Sequence, residues 1–145
     1  MNTKLYLTQT DTTIGFVSQD ATKIDNAKRR LPNKHYICTV DSLERLRSLT
    51  RSPQDHKNRI RRAKRTTFVM PNGRSFRVVK ESRHNLLLDR AGWFYSSSAN
   101  LSGEIYDEDY AKKQCEVLVA PLAKDQREAS KIYRLGSNKR LYLIR

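Results

Sequence analysis

Short runs in which apolar and polar residues alternate recur along the chain. A period of two places apolar side chains on one face of a strand, so each run predicts a β-strand. The run 35–40, for example, puts Tyr36, Cys38 and Val40 on one face. The predicted strands are residues 4–8, 14–18, 35–40, 66–70, 75–79, 93–98, 116–120, 131–136 and 139–145.

Between these strands, capping residues and helical spacings predict helices. Ser18, Asp41 and Ser82 are expected N-caps, because their side chains can accept a hydrogen bond from a free backbone N–H of the first turn. Pro53 suits the first helical position, and residues 107–114 carry acids first and lysines later, as the helix dipole favours. The predicted helices run from Ser18 to about Arg30, from Asp41 through Leu43, Leu46 and Leu49, from Pro53 to 65, from Ser82 to Gly92, and over 107–114.

Strands that alternate with helices predict one α/β domain over residues 1–145. Two hairpins are expected, around Asn72–Gly73 and around residues 136–138, and hairpins make antiparallel neighbours. The expected fold is therefore a single α/β domain with a twisted, mixed parallel/antiparallel sheet and flanking helices.

The charge balance indicates a polyanionic partner. The chain has 29 Lys and Arg against 15 Asp and Glu, a formal net charge of +14 and a pI near 10.1. This surplus suits RNA, DNA or a phosphorylated ligand, although it is also typical of a small protein from an organism with a basic proteome.

The cysteines and the apolar pattern indicate the cellular compartment in which the protein is expected. Cys38 and Cys115 each lie in an apolar, strand-like run with no Cys or His at metal-ligand spacing, so buried free thiols and no protein metal site are expected. No stretch resembles a signal peptide or reaches the length of a membrane span. We therefore expect a cytoplasmic protein with no membrane association.

Two polar stretches in the first quarter of the chain could contact a ligand. "TQTDTT", residues 8–13, offers hydroxyls, although Asp and Thr are also ordinary turn residues. "AKRRLPNK", residues 27–34, places Lys28 and Arg30 at a helix end, where cations suit the helix dipole. The functional interpretation is a phosphate clamp, with Lys as a point charge and Arg as a bidentate fork.

The densest basic stretch is "KNRIRRAKR", residues 57–65. A charge run is often a solvated helix face, but no acid compensates this one, which favours a surface that contacts RNA phosphates without reading sequence. The predicted RNA-binding residues are Lys57, Arg59, Arg61, Arg62, Lys64 and Arg65.

The last stretch that could contact a ligand is a predicted strand that ends in serine hydroxyls. "FYSSSANLSG", residues 94–103, can present hydroxyl, amide and backbone N–H groups to phosphate or carboxylate oxygens, or simply cap the next helix. The chain has no Walker-type glycine loop and no Ser-His-Asp or Cys-His arrangement, so nucleophilic catalysis is not expected.

In this order, "QTDTTIGF", "KRRLP", "FRVV" and "SSANLSG" resemble the motifs of the YrdC-like family, the threonylcarbamoyl-AMP synthases of tRNA modification. The resemblance implies a synthase that takes L-threonine, bicarbonate and ATP, with Mg²⁺ on the phosphates, and forms threonylcarbamoyl-AMP and pyrophosphate. A separate tRNA threonylcarbamoyl-transferase machinery would use the product. Some relatives bind double-stranded RNA.

The resemblance also implies a role for individual residues. Lys28, Arg30, Ser98 and Asn100 correspond to nucleotide-contacting positions, and the implied ATP side also includes Ser130 and Arg145. The implied threonine side comprises Thr10, Arg77 and Ser96, with Arg77 holding the substrate carboxylate. Such a site needs no protein nucleophile, because positioning and positive charge can carry an adenylation.

Several family positions are changed. Ile14 replaces a tyrosine, Leu31 takes the place of the proline after Lys-x-Arg, Thr39 replaces a histidine and Val79 a proline. These changes leave three readings open. The chain is an active synthase, a non-catalytic YrdC-like protein that binds nucleotide or double-stranded RNA, or a basic RNA-binding or ribosome-associated protein of similar fold.

Overall fold

The structure is a computed structural model that describes residues 3–29, 35–51, 53–80, 82–101, 104–119, 122, 129–136 and 140–145, with the side chains of 82–86 left aside. The strands are β1 Tyr6–Gln9, β2 Ile14–Ser18, β3 Ile37–Val40, β4 Thr66–Val69, β5 Ser75–Val78, β6 Trp93–Ser98, β7 Val117–Leu118, β8 Lys131–Leu135 and β9 Leu141–Leu143. The helices are α1 Ala21–Lys28, α2 Leu43–Leu49, α3 Lys57–Arg62, α4 Ser82–Ala91 and α5 Glu108–Gln114, and a 3₁₀ turn spans Gln54–His56.

The strands of the described residues form one sheet in the order β7-β1-β2-β6-β3-β5-β4-β8-β9. Three neighbouring pairs are parallel, namely β1 with β7, β3 with β5 and β4 with β8, and the others are antiparallel. The expected single α/β domain with a mixed sheet is therefore confirmed.

Both predicted hairpins pair as antiparallel strands. Gly73 allows the tight connection between β4 and β5, because its φ of 86° is costly for residues with a side chain. The second hairpin joins β8 to β9, while its turn residues 137–139 lie outside the described part.

Helices cover both faces of the sheet. Phe16 of β2 packs with Ile24 of α1 and Ala111 of α5, whereas Val17, the next residue, packs with Leu88 of α4. Because successive side chains of a strand point to opposite faces, α4 lies on the other face from α1 and α5.

Helices α2 and α3 share the face of α1 and α5. Leu46 of α2 and Ile60 of α3 bury their side chains against Phe76 and Val78 of β5. Arg77 lies between those two residues and therefore points to the face that α4 covers in part. This alternation places one guanidinium beneath the candidate site described below.

Several predicted boundaries are wrong by one to three residues. Ser18 ends β2, and Asp20 caps α1 by accepting from the Thr22 N–H at 3.0 Å. Ser42, and not Asp41, caps α2, since its hydroxyl accepts from the Arg45 N–H. Each wrong choice had a competing cap one or two residues later, which local sequence does not rank.

Three further predictions needed correction. The helix expected from Pro53 begins as a 3₁₀ turn and continues as α3. Ser82 is the first residue of α4 and not its cap, although Gly92 ends that helix as expected, with a φ of 88°. Cys38 is buried, but Cys115 is only partly buried. Across the described part of the chain, every helix is too short or too polar to cross a membrane.

Candidate nucleotide and amino-acid site

A polar pocket of about 330 Å³ opens where the end of β6 meets the β1–β2 turn and the end of α1. Its walls are mostly hydroxyl groups and cations, and Tyr36, Ile37 and Ala129 add apolar atoms. The lining residues are Thr12, Thr13, Lys28, His35, Tyr36, Ile37, Arg77, Ser96, Ser97, Ser98, Asn100, Ala129, Ser130 and Arg145.

The fold brings most of the sequence-predicted site residues to this pocket, from segments far apart in the chain. Those that line it are Lys28, Arg77, Ser96, Ser98, Asn100, Ser130 and Arg145. Thr10 lies behind the wall, and Arg30 lies outside the described residues. Their position at the pocket does not test which ligand each residue binds, so the roles implied for these residues stay predictions.

Lys28 is a cation that contacts the "SANLSG" segment directly. Its ammonium donates to the backbone oxygen of Ser98 at 2.7 Å and lies 3.5 Å from Oδ1 of Asn100. The Ser98 hydroxyl also donates to Asn100 Oδ1. These contacts hold the Lys28 ammonium beside two polar groups that line the pocket.

The end of α1 is held on two sides, which fixes where Lys28 starts. The Tyr110 hydroxyl donates to the Ala27 carbonyl oxygen at 2.7 Å, and the Tyr36 hydroxyl donates to Asp25 at 2.5 Å. Arg29 then adopts a left-handed conformation with a φ of 51°, which ends the helix. The lysine therefore projects from a rigid helix end and not from a loop.

Asn100 also stabilises the turn that follows β6. Its side-chain N–H groups donate to the carbonyl oxygens of Leu101 at 2.9 Å and Glu104 at 2.7 Å. The amide oxygen therefore faces Lys28 and Ser98 while the amide nitrogen holds the loop. This division explains why an Asn suits the position, since a carboxylate could not donate to either carbonyl.

Arg77 forms a buried ion pair with Asp11. Nη2 of Arg77 lies 3.1 Å from Oδ1 of Asp11, and each side chain exposes only 4% of its surface. Burial lowers the pKa of the Arg77 guanidinium, and the Asp11 carboxylate opposes that shift. Among the described residues, Nε of Arg77 has no hydrogen-bond partner, so this donor remains for a ligand.

The "TQTDTT" stretch forms an ordered turn, and part of it also lines the pocket. The Thr10 hydroxyl donates to the Thr13 carbonyl oxygen at 2.5 Å and accepts from the Thr12 N–H at 3.2 Å. Gln9 donates to the Thr10 and Thr12 carbonyl oxygens. Thr10 therefore stabilises the turn, as expected of an ordinary turn residue, whereas Thr12 and Thr13 line the pocket.

Another part of the pocket wall is formed by Arg145 and by Ser130, the residue that precedes β8. Arg145 donates from Nε to the Ser130 carbonyl oxygen at 3.0 Å and from Nη2 to the Ser130 hydroxyl at 3.4 Å. That hydroxyl also lies 2.8 Å from the buried hydroxyl of Thr67. The guanidinium is exposed but tethered, so it places positive charge at the pocket rim.

This set of groups suits an anionic ligand with several hydroxyls. Lys28 and Arg145 are cations, the Nε–H of Arg77 has no hydrogen-bond partner among the described residues, and serine and threonine hydroxyls line the same pocket. No Asp or Glu side chain is among the described residues that line the pocket, so the side-chain oxygens open to an Mg²⁺ ion there are those of hydroxyls and of the Asn100 amide. Mg²⁺ fits this site if it arrives on phosphate oxygens and keeps its waters.

The sequence analysis missed part of the wall. It assigned no role to Thr12, Thr13, His35 or Tyr36, although all four line the pocket. Thr12 and Thr13 belong to a stretch that was singled out, so a signal existed but pointed to their neighbour Thr10. His35 and Tyr36 reach the pocket only because β3 lies beside β6, which the local pattern does not reveal.

The predicted RNA-binding residues lie elsewhere. Lys57, Arg59, Arg61 and Arg62 belong to α3, whose Ile60 packs on the Phe76 side of β5. Lys64 and Arg65 lead from α3 into β4, and none of the six lines the pocket.

Comparisons with known proteins identify the fold. Neither a protein-family model nor a curated protein matches the sequence. Among solved structures, P. abyssi Sua5 in complex with L-threonine matches with a TM-score of 0.77 at 18% identity, over 98% of this chain and 50% of that one. E. coli YciO matches with a TM-score of 0.74 at 14% identity, over 99% of this chain and 82% of that one.

A third structure, MTH1692 from Methanobacterium thermoautotrophicum, matches with a TM-score of 0.66 at 17% identity, over 90% of this chain and 74% of that one. These neighbours are YrdC/Sua5 proteins, and the likeness shows that this chain shares their fold. The chain spans about half the length of P. abyssi Sua5. The fold implied by the sequence motifs is therefore confirmed, while the activity needs its own argument.

Proposed function

We propose that the protein is an L-threonylcarbamoyladenylate synthase that makes threonylcarbamoyl-AMP and pyrophosphate from L-threonine, bicarbonate and ATP. The observation that carries the proposal is the convergence of Lys28, Arg77, Ser98 and Asn100 on one polar pocket. A fold shared with P. abyssi Sua5, a protein solved in complex with L-threonine, supports it.

The phosphates of ATP would lie against the part of the pocket wall formed by Lys28, Ser98 and Asn100. The Lys28 ammonium neutralises charge that develops on the phosphates, and the Ser98 hydroxyl and Asn100 amide orient the nucleotide. Arg145 adds positive charge from the opposite rim, and Arg30 belongs to this side by sequence. Mg²⁺ bound to ATP supplies further charge neutralisation at the phosphates.

The amino-acid side of the proposed site lies around Arg77 and Ser96. The threonine amino group combines with bicarbonate to give a carbamate and water. A carbamate oxygen then attacks the α-phosphorus, and the bond to the β-phosphate oxygen breaks, so pyrophosphate leaves. The protein positions the substrates and supplies positive charge, and it forms no covalent bond to them. This agrees with the described pocket wall, in which no nucleophile is paired with a base.

The product would serve a separate threonylcarbamoyl transferase that modifies tRNA in the cytoplasm. This placement follows from the chemistry of the product, since a mixed anhydride of a carbamate and AMP is an activated donor that a second enzyme must consume.

Threonine-dependent pyrophosphate release tests the proposal. The protein is incubated with ATP, Mg²⁺ and bicarbonate, with and without L-threonine, and the adenylate is identified by mass. Release that requires both threonine and bicarbonate, and that Lys28→Ala abolishes, supports the proposal. Absence of release with ATP still bound contradicts it.

One observation favours a second function, a YrdC-like protein that binds nucleotide without making the adenylate. The Arg77 guanidinium, expected to hold the substrate carboxylate, already pairs with Asp11 at 3.1 Å. If that pair excludes the amino acid, calorimetry will show ATP binding that added L-threonine does not change.

A further inference from the structure

The strand β9 forms one edge of the sheet. In the strand order of the described residues, β9 has β8 on one side and no strand on the other. An edge strand leaves the N–H and C=O groups of alternate residues outside the ladder, so it can pair with a further strand. Which groups these are follows from the register between β9 and β8.

The register shows that Leu141 and Leu143 direct their backbone groups away from β8. The Ile144 N–H donates to a β8 carbonyl oxygen at 2.8 Å, and the Arg140 carbonyl oxygen accepts at 2.9 Å from the residue that follows β8. In an antiparallel pair, residues that bond across the pair alternate with residues whose backbone groups face outward. The N–H and C=O groups of Leu141 and Leu143 therefore lie on the open edge of the sheet.

Apolar side chains lie beside these outward-facing backbone groups. Leu143 exposes 67% of its surface, Ile144 57% and Tyr142 41%. Leu143 by alternation shares a face with Leu141, which packs on the core beneath α2 and α3, whereas Tyr142 points to the opposite face. An added strand would therefore cover apolar surface on both faces of the edge.

Contacts within the hairpin hold β9 in an extended conformation. The Tyr142 ring packs so closely on Gly136 that a Cβ built there would lie 2.7 Å from it. The Arg134 guanidinium lies 4.8 Å from the centroid of the same ring. Beyond the strand, Arg145 donates to the Ser130 carbonyl oxygen at 3.0 Å. A partner strand would therefore meet an edge that is already ordered, which lowers the entropic cost of binding.

The hairpin of β8 and β9 carries positive charge and no negative side chain. Residues 129–145 contain five Lys and Arg and no Asp or Glu, so their net charge is +5 (5 − 0). Four of these cations are described, and all four are exposed and outside the ion pairs found among the described residues: Lys131, Arg134, Arg140 and Arg145. Such a cluster attracts an acidic segment and repels another copy of the same hairpin.

We propose that the β9 edge binds an extended acidic segment of another protein, which adds to the sheet as a further strand. The backbone of the segment would exchange hydrogen bonds with Leu141 and Leu143, and its apolar side chains would cover Leu143. Its carboxylates would face Arg134 and Arg140. This interaction does not rest on the proposed synthase activity, since neither nucleotide nor threonine takes part in it.

Other occupants suit the edge less well. A second copy would bring the five cations of its own hairpin against those of the first. Cations on an edge strand in fact discourage pairing between identical chains. RNA phosphates would suit the cations, but they would leave the exposed Leu143 side chain and the outward backbone groups uncovered.

Fluorescence anisotropy with a synthetic peptide tests the proposal on the full chain. The probe is a short labelled peptide in which glutamate alternates with valine or leucine. We expect saturable binding, and the same peptide with lysine in place of glutamate should bind at least about tenfold more weakly.

Two N-methylated probes test whether the backbone of the peptide pairs with β9. One carries N-methyl groups on its odd-numbered residues and the other on its even-numbered residues. A strand bonds to a given neighbour through alternate residues only, so one of these probes should lose binding and the other should keep it.

Variants of the protein test which groups of the edge are used. Arg134→Gln/Arg140→Gln should weaken binding at least about tenfold, whereas Lys112→Gln/Lys113→Gln removes the same charge from α5 and should bind within about twofold of wild type. Leu143→Pro removes an N–H that β8 does not use, so it should lose peptide binding and keep a cooperative thermal transition. Leu143→Val keeps that N–H and an apolar side chain, and it should bind like wild type.

The proposal is overturned if the lysine probe binds as tightly as the glutamate probe, if both N-methylated probes bind like the parent peptide, or if Arg134→Gln/Arg140→Gln binds like wild type. A dimer in sedimentation that Leu143→Pro abolishes would assign the edge to a second copy instead. A short RNA duplex that displaces the peptide would assign the edge to nucleic acid.

Discussion

Lys28 brings a positive charge into a pocket wall where only 4% of its surface remains exposed. Desolvation of an ammonium is costly, and the Ser98 carbonyl at 2.7 Å and the Asn100 amide oxygen offset part of that cost. Both of these contacts place the Lys28 ammonium at the polar wall of the pocket.

Replacing Lys28 with alanine should weaken ATP binding by on the order of 1.5–3 kcal/mol, or about 10- to 150-fold, because charge-assisted hydrogen bonds are lost. Calorimetry measures the effect. Lys112→Ala removes an exposed lysine of α5 that forms only a surface pair with Glu108, and it should bind ATP like wild type. Equal affinity in the two variants would contradict the role of Lys28.

The Asp11–Arg77 pair is expected to affect stability strongly, because both side chains are buried. Asp11→Ala leaves a buried guanidinium without its carboxylate, which should lower the free energy of unfolding by roughly 3–5 kcal/mol. Urea unfolding measures the loss. Asp11→Ala/Arg77→Met removes both charges and should recover much of it, whereas a single variant within about 1 kcal/mol of wild type would rule out a strong pair.

At the scale of elements, the pocket depends on the close approach of β2 and β6. A Cβ built on Gly15 would lie 2.9 Å from the backbone oxygen of Ser97, and backbone cannot move aside as a side chain can. Gly15 pairs directly with Ser98, so the glycine sets the distance between the β1–β2 turn and the Lys28 anchor.

Gly15→Ala should therefore cost about 1–3 kcal/mol of stability and also weaken ATP binding, because β6 must shift where Ser98 meets Lys28. Gly73→Ala is the matched comparison. Its Cβ meets nothing within 4 Å, but its φ of 86° makes alanine cost about 1 kcal/mol. Thermal unfolding and ATP titration should show that both variants lose stability and only Gly15→Ala loses affinity.

At the scale of the whole molecule, the fold decides the reactivity of the two thiols. Cys38 is buried in the core beneath α2, and burial raises its pKa to about 12. Cys115 lies at the end of α5 and is partly buried, and desolvation raises its pKa as well. The thiolate is the reactive form, so both thiols react slowly at neutral pH.

A disulfide exchange reagent at pH 8 should therefore modify at most one thiol in the native protein, slowly and at Cys115. Two thiols should react after denaturation in guanidinium chloride. Mass spectrometry of the labelled peptides identifies the site. Rapid modification of Cys38 in the native protein would show that this half of the core opens far more readily than its burial suggests.

The elements were predictable where the local signal was strong. Alternation located the nine strands of the described sheet, and the Asn72–Gly73 pair located its central hairpin. Exact helix starts were not predictable, because Ser18 competes with Asp20, and Asp41 with Ser42, for the same N–H groups. In each case the chosen cap depends on where the preceding strand stops pairing.

The candidate site was predictable in its residue types and only partly in its geometry. The order of the four motifs directed attention to Lys28, Arg77 and the Ser98–Asn100 segment, which line one pocket. Which threonine of "TQTDTT" lines the pocket was not predictable, because the Thr10 hydroxyl bonds to the backbone of its own turn, while Thr12 and Thr13 line the pocket.

The sequence by itself determined the strands and helices, the mixed α/β class, the surplus of positive charge and the residue types of the candidate site, because these follow from local periodicity, turn chemistry and composition. Only the tertiary structure decided that Asp11 pairs with Arg77 and that Lys28 meets Ser98. It also decided that the cations of α3 lie away from the pocket, since none of them lines it. Those features depend on which strands become neighbours, and strand order is set by packing between segments far apart in the chain, to which no local pattern extends.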